Sequence, residues 1–157
     1  MTEYRKIIFV CQDNTCRSPM AELLMKNRMK DMNVEADIEI TSRGIVVLFP
    51  EPRNPKMIQV LRNNGLNVGN NNEAVALSSE DFSEDTLVLT MTLEQKQKIY
   101  EEYDNAVNVF SLPEYVGEAE NIEVPYGGDI DEYTQLFINL TYFVCMLADK
   151  LFKETEE

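Results

Sequence analysis

Cys11 and Arg17 have side chains that could take part in catalysis, and they flank one short turn near the start of the chain. The segment CQDNTCRS follows the apolar run IIFV and leads directly into a helical pattern. A turn between a buried strand and a helix N-terminus directs backbone N–H groups at one point, and the helix dipole strengthens their positive field. That field, with an arginine beside it, favours a thiolate and attracts phosphate. The pattern predicts in-line attack of Cys11 on a bound phosphoryl group, with a cysteinyl-phosphate intermediate.

The composition restricts the chemistry that this turn can support. The 157 residues include no histidine, so neither a Ser-His-Asp triad nor a histidine zinc site can form, and three cysteines alone make a poor zinc site. We therefore expect no metal and no cofactor. The net charge of −14 disfavours nucleic acid or an anionic membrane as a partner. An odd number of cysteines, short apolar runs and an N-terminus unlike a signal peptide predict a cytoplasmic protein.

Strand and helix patterns alternate along the chain. Alternation of this kind is typical of an α/β domain with a parallel sheet. We expect a single doubly wound domain over 1–157, with a four-stranded parallel sheet flanked by helices in a Rossmann-like, three-layer arrangement. Ligands of such folds bind at the carboxyl ends of the strands, where the turn after Cys11 lies. Strands are predicted at 4–11, 36–44, 85–92 and 105–112, and helices at 17–33, 54–65, 93–103 and 130–152.

The same turn resembles the signature of the low-molecular-weight protein tyrosine phosphatase family. VCQDNTCRSPMAE is similar to the family pattern V-C-x-G-N-x-C-R-S-P-x-A-E. TSRG, TLVLTMTLEQKQKI, VFSLPEYVG and VPYGGDIDEY extend the resemblance over nearly the whole chain. It implies a phosphatase I-like fold, with Cys11 as nucleophile and Arg17 as phosphate ligand. It also implies a phosphate-binding loop made of Gln12, Asp13, Asn14, Thr15, Cys16, Arg17 and Ser18.

The resemblance assigns further roles to three of these loop residues. Asn14 is expected to brace the loop through hydrogen bonds, and Ser18 to donate one to the Cys11 sulfur. Cys16 is expected to form a protective disulfide with Cys11 under oxidation. We expect the two cysteines to be exposed, and an exposed pair this close in sequence is redox-sensitive. Ser18 is also a candidate for the cap of the following helix.

Two positions depart from the family pattern. Asp13 stands where the family has glycine, and its carboxylate points either toward the bound dianion or, as we favour, outward. Val124, in IEVPYGG, stands where the family has its general acid, an aspartate, and valine cannot protonate a leaving group. Losing a positioned general acid costs about 10²–10⁴-fold in rate. The candidate substitute acids are Asp13, Glu123, Asp129 and Asp131.

Three other residues bear on the substrate. Tyr126 matches the aromatic residue that forms a wall of the family's substrate cleft. Phe49 or Leu48, in the apolar loop GIVVLFPEPRNP, forms a second wall unless this stretch is ordinary core. Thr15 resembles the threonine of the bacterial protein-arginine phosphatase branch, which favours phosphoarginine.

The first interpretation is a cysteine-dependent phosphatase that acts slowly on phosphotyrosine or phosphoarginine in proteins. The alternatives are a phosphate-binding module without catalysis, which recognises phosphorylated protein, and a thiol redox protein related to arsenate reductases. The expected partners are a phosphorylated protein or a phosphate or sulfate ion, and the expected assembly is a monomer or a weak dimer.

Overall fold

A four-stranded parallel sheet forms the centre of the computed structural model, which describes residues 2–70, 73–125 and 128–153. The strands lie in the order β2-β1-β3-β4, and every neighbouring pair is parallel. This confirms the predicted α/β architecture and the four-stranded parallel sheet. The strands are β1 (Lys6–Cys11), β2 (Glu39–Gly44), β3 (Thr86–Thr90) and β4 (Val109–Ser111).

Helices follow the strands as the sequence patterns predict. Every predicted helix occurs, and no helix end differs from its prediction by more than two residues. The predicted fourth strand, 105–112, is too long at both ends. Asn108 has a left-handed backbone with φ of 56° directly before Val109, and Ser111 ends the strand by capping a short helix: its hydroxyl accepts a hydrogen bond from Glu114 N at 3.1 Å. That helix and a 3-10 turn at Ser79–Asp81 were not predicted. The helices are α1 (Arg17–Asp31), α2 (Pro55–Asn63), α3 (Leu93–Glu102), α4 (Leu112–Tyr115) and α5 (Ile130–Phe152).

Strand β1 is buried on both faces and separates two apolar cores. Side chains alternate across a strand, so Ile7, Phe9 and Cys11 face the larger core while Ile8 and Val10 face the smaller one. Helices α1, α2 and α5 cover the larger core, and α3 contributes Ile99 to the smaller one. Cys11 is thus the last inward residue of the central strand, at the carboxyl edge of the sheet.

Helix α5 is long and apolar, although the sequence contains only short uninterrupted apolar runs. Its 23 residues and a window of mean hydropathy 1.2 would allow it to cross a membrane by length and composition alone. In the structure its apolar side packs against α1 and α2, as expected for the core helix of a globular domain. The buried residues on that side include Leu136, Leu140, Phe143, Val144, Leu147 and Leu151.

Candidate active site

The turn from β1 to α1 buries its chemically important side chains and exposes its tip. Cys11 is 1% exposed and Arg17 is 7% exposed. Gln12 and Asp13 project into solvent. Hydrogen bonds hold buried polar groups of this kind in fixed positions, so the turn is a candidate site.

Ser18 connects the Cys11 sulfur to the rest of the turn. Its hydroxyl lies 3.0 Å from Cys11 Sγ, and its backbone N–H donates to the same sulfur at 3.4 Å. The Asn14 amide donates to the Ser18 hydroxyl at 2.8 Å. The prediction that Ser18 caps α1 is wrong: the helix begins at Arg17 with Cys16 before it, and the Ser18 hydroxyl faces Cys11. A sulfur anion at this position has two donors already aimed at it.

The Asn14 side chain connects the turn to three neighbouring segments by hydrogen bonds. It adopts a left-handed backbone with φ of 61°, which asparagine tolerates better than most residues. Its amide nitrogen also donates to Ser42 Oγ of β2 at 2.9 Å. Its amide oxygen accepts from Val75 N at 2.9 Å and from Arg53 Nη1 at 2.6 Å. All four hydrogen-bonding positions of the side chain are therefore used, which fixes the loop from inside.

Neighbouring segments hold the loop carbonyls from outside. Ile45 N donates to Cys11 O at 3.0 Å, and Val46 N donates to Gln12 O at 2.9 Å. Asn54 N donates to Thr15 O at 2.8 Å.

Because peptide groups are planar, these contacts of the loop carbonyls predict where the loop N–H groups point. The C=O of one residue and the N–H of the next point in opposite directions, so a carbonyl held outside turns the following N–H inward. Within the described part of the chain, the amides of Asp13 and Cys16, which follow the held Gln12 and Thr15 carbonyls, have no protein acceptor. The loop therefore presents a concave set of donors suited to an anion.

Arg17 ties the loop to the segment that carries Val124. Its Nη1 donates to Ile122 O at 2.9 Å, across 105 residues of sequence. This is one of the five N–H donors of a guanidinium, and the planar fork suits two phosphate oxygens. Arg17 therefore connects the loop to the 121–125 segment through this hydrogen bond.

Asp13 is exposed, and its carboxylate is turned back onto the loop. Its Oδ1 accepts hydrogen bonds from Thr15 N at 3.1 Å and from Thr15 Oγ1 at 2.9 Å. The predicted outward and inward orientations are each partly right: the side chain is in solvent, but one oxygen occupies a backbone donor of the loop. Thr15 thus has both its N–H and its hydroxyl directed at a carboxylate.

The two loop cysteines are buried thiols, not an exposed pair. Cys16 is 3% exposed and Cys11 is 1% exposed, so the predicted exposure is wrong. Burial, with the charges of Cys11 and Asp13 adding to it and Arg17 opposing it, raises the pKa of Cys16 to about 12. Cys16 therefore stays protonated at neutral pH, and this geometry does not favour a thiol redox function. Cys145 is half-buried between α5 and α1, beside Thr141 and Arg28.

Val124 is half-buried and packs against the larger core. Together with Glu123 and Pro125 it lines an open groove of about 690 Å³, whose other side is the outward face of α5. Tyr126, the predicted cleft aromatic, lies outside the described residues.

The other candidate acids have structural positions. Asp129 caps α5, because its Oδ1 accepts from Glu132 N at 3.2 Å, and Asp131 lies in the first turn of that helix. Both therefore belong to the helix start, where carboxylates are favoured by the dipole. Glu123 is exposed on the groove that Val124 lines.

The loop after β2 presents apolar side chains to solvent at the active-site edge. Leu48 is 89% exposed and Phe49 is 58% exposed, so the alternative that they belong to the core is wrong. Their position after β2, whose last residue packs against Asp13 and Asn14, is the one expected of a substrate wall.

Two contributions to the site were missed in the sequence. Ser42 of the TSRG motif donates to Glu22 Oε1 at 2.8 Å as well as accepting from Asn14, and the motif was the signal for it. Arg53 carried no signal, because PRNP reads as the start of a helix. No group of three or more histidine, cysteine or acidic residues that could hold a metal occurs in the described segments.

Comparison with known proteins places the chain among phosphatases. PtpB of Staphylococcus haemolyticus (strain JCSC1435), a low molecular weight protein-tyrosine-phosphatase, is 36% identical over 139 residues, covering 88% of this chain and 94% of that protein. The protein-arginine-phosphatase of Bacillus subtilis (strain 168) is 33% identical over 150 residues, covering 94% and 97%. A solved structure of the YwlE arginine phosphatase, a mutant with a phosphorylated active-site serine, aligns with a TM-score of 0.84 at 32% identity, covering 95% and 97%.

These relatives are cysteine-based protein phosphatases, and the described fold is theirs. The family model for low molecular weight phosphotyrosine protein phosphatases matches residues 6–157. The chain therefore belongs to the low-molecular-weight phosphotyrosine protein phosphatase family, whose members are hydrolases.

Proposed function

We propose that the chain hydrolyses phosphotyrosine or phosphoarginine in proteins through a phosphate on Cys11, and that it does so slowly. One observation carries the proposal: the Cys11 sulfur lies at the base of a loop whose carbonyls are held outside, so that its amides turn inward. Gln12 to Ser18 form the phosphate-binding loop in this proposal, with Arg17 as the phosphate ligand. Phe49 and Tyr126 serve as walls of the substrate cleft.

In the first step the Cys11 sulfur attacks phosphorus opposite the leaving group. The S–P bond forms while the bond from phosphorus to the tyrosine oxygen or arginine nitrogen breaks, and the leaving group takes the electron pair. The loop amides and Arg17 stabilise the charge that spreads over the phosphoryl oxygens. A solved relative carrying a phosphorylated active-site serine supports a covalent route of this kind.

In the second step water attacks phosphorus and the S–P bond breaks. Inorganic phosphate is released, the water protons go to phosphate and solvent, and the sulfur leaves as a thiolate. The two hydrogen bonds from Ser18 favour that departure, because they are strongest when the sulfur is charged.

Val124 makes the first step slow for both proposed substrates. A tyrosine ester must expel a phenolate, whose conjugate acid has a pKa near 10, and valine supplies no proton. A phosphorylated guanidinium leaves as neutral guanidine, which is a stronger base than phenolate and therefore also needs a proton. Both substrates therefore lose rate from the missing acid. The preference for phosphoarginine rests on Thr15, through its resemblance to the arginine-specific branch.

The test is rapid-quench mass spectrometry of the peptide that contains Cys11, with phosphoarginine and phosphotyrosine peptides as substrates. We expect a transient phosphate on Cys11 in the wild type and in the matched control Cys145→Ser, and none in Cys11→Ala. Turnover without any phosphate on Cys11 would contradict the proposed mechanism.

A phosphate-binding module that does not turn over is the second candidate, and Val124 is the observation that favours it. This function predicts that Cys11→Ser binds a phosphopeptide as tightly as the wild type, while the wild type releases no phosphate over hours. Measurable release that is lost in Cys11→Ser decides for the enzyme.

A further inference from the structure

Arg53 holds the outer side of the phosphate loop. It lies in the segment between β2 and α2, and its Nη1 donates to both the Asn14 carbonyl and the Asn14 side-chain oxygen, the latter at 2.6 Å. The next residue, Asn54, donates its N–H to the Thr15 carbonyl. Two adjacent residues of one segment thus bind two adjacent carbonyls of the loop.

These hydrogen bonds from Arg53 and Asn54 determine the direction of two loop amides. Because Arg53 binds the Asn14 carbonyl outside, the N–H of Thr15 must point to the opposite side of that peptide. The structure shows where it points, since Thr15 N donates to a carboxylate oxygen of Asp13 at 3.1 Å. The Asp13 carboxylate is thus an anion that accepts a hydrogen bond from the amide that Arg53 orients. Asn54 turns the N–H of Cys16 in the same way.

Arg53 also brings a full positive charge to a half-buried place behind the loop. Burial lowers the pKa of its guanidinium, while the charges of Glu22 and Cys11 raise it and Arg43 opposes them. A guanidinium stays charged in proteins, so the carbonyl that it binds is polarised and the amide of the same peptide becomes a stronger donor. The chain contains no histidine that could serve this purpose.

We propose that Arg53 is a positioning residue of the phosphate site, which orients and polarises the Asn14–Thr15 peptide so that the loop binds an anion. It does not touch the reacting atoms. The inference rests on the proposed function only in naming phosphate as the anion, because anion binding by the loop can be measured without turnover.

The test compares Arg53→Met with Arg53→Lys, which keeps the charge, and with Arg62→Met, which removes a charge from the exposed end of α2. Calorimetry measures the affinity for inorganic phosphate. Mass spectrometry measures the ratio of Cys11 alkylation rates by iodoacetate and iodoacetamide. Both reagents need the same thiolate, so the ratio reports attraction of an anion to the loop and not the ionisation of the thiol.

We expect Arg53→Met to lower both the phosphate affinity and the alkylation ratio by about tenfold, the effect of one charge-assisted hydrogen-bonding group. Arg53→Lys should recover part of each loss, and Arg62→Met should stay within about twofold of the wild type. In kinetics with an aryl phosphate, KM should rise more than kcat falls. A purely structural role would lower the unfolding midpoint and leave the alkylation ratio unchanged.

A folded Arg53→Met with wild-type phosphate affinity and alkylation ratio would overturn the inference. If that variant does not fold, Arg53→Gln keeps a donor without the charge and is judged by the same criterion. A wild type whose phosphate affinity depends on Arg53 but which forms no phosphate on Cys11 would refute the proposed function and leave this inference standing.

Discussion

Four side chains fix the reactive turn, and each makes at least two hydrogen bonds; they are Asn14, Ser18, Ser42 and Arg53. Asn14 reaches Ser18, Ser42 and Arg53, while Ser18 also contacts the Cys11 sulfur. Buried polar groups of this kind are costly unless every partner is present, so the removal of one disturbs the others. The turn is therefore arranged before any anion arrives, which reduces the reorganisation needed on binding.

Val124→Asp should restore the general acid. We expect kcat for phenyl phosphate to rise by about 10²–10⁴-fold, because a poor leaving group depends most on protonation. For para-nitrophenyl phosphate the gain should be much smaller, since that leaving group departs readily as an anion. Steady-state kinetics with the two substrates check this prediction.

Val124→Asn is the matched control, because it has the size of aspartate without the proton. A similar gain in both variants would show that polarity or packing, and not acid catalysis, limits the rate. No gain with aspartate, together with equal wild-type rates on both substrates, would mean that another group already donates the proton.

Asp13→Asn should tighten phosphate binding. The asparagine oxygen can still accept from Thr15, but the negative charge beside the loop is lost. Removing repulsion between two nearby charges at a wet surface contributes about 1 kcal/mol, or about a fivefold gain in affinity. Calorimetry with inorganic phosphate measures the change, and weaker binding in the variant would show that the carboxylate supports the loop instead of competing with its ligand.

The segments around the loop matter as much as its own residues. Strand β2 ends at Gly44, and the backbone beyond it binds the Cys11 and Gln12 carbonyls. The segment before α2 binds the Asn14 and Thr15 carbonyls through Arg53 and Asn54. Sequence patterns predicted these elements to within a few residues but gave no contact between them, because hydrogen bonds between distant segments leave no periodic signal.

Gly44→Ala should displace the loop. A Cβ at this position would lie 2.7 Å from Val47 Cγ2, 2.8 Å from the carbonyl carbon of Asp13 and 2.9 Å from Asn14 N. Backbone atoms cannot yield as a flexible side chain can, so the Asp13–Asn14 peptide must move. We expect a loss of stability of about 1–3 kcal/mol and a loss of phosphate binding, measured by urea unfolding and calorimetry.

Two results would contradict this expectation. Unchanged phosphate affinity in Gly44→Ala would show that the loop tolerates the shift, and unchanged stability would show that the contact is not tight. Val75→Ala serves as a comparison near Asn14. It shortens a half-exposed side chain and keeps the backbone N–H that donates to the Asn14 side-chain oxygen.

At the scale of the whole molecule, the sequence predicts the parallel sheet correctly but not where each strand ends. The uninterrupted apolar runs of β1 and β3 predicted a buried parallel sheet. The fourth strand is shorter than its pattern predicts, because Asn108 leaves the extended conformation before Val109 and Ser111 caps α4. The pattern of α5 predicts its length correctly. The burial of Cys16 depends on how α1 packs against the sheet, and no local pattern reports that.

Cys16 makes the stability of the whole molecule depend on alkaline pH. Its pKa is about 12 in the folded state, against 9.0 for an unperturbed thiol, and burial is the main cause. Below about pH 9 both states are protonated and this residue contributes no pH dependence. Between about pH 9 and pH 12 the unfolded state loses the proton first, so stability falls by up to about 1.4 kcal/mol per pH unit.

The comparison that isolates this effect is the wild type against Cys16→Ala, unfolded in urea at pH 8 and at pH 10. Other groups titrate in both proteins and cancel, and the cavity left by alanine costs the same at both pH values. We expect the wild type to lose about 1.4 kcal/mol more than the variant between the two pH values. Equal losses would mean that the Cys16 thiol ionises as readily in the folded state as in the unfolded state, and that the α1–sheet packing does not shield it.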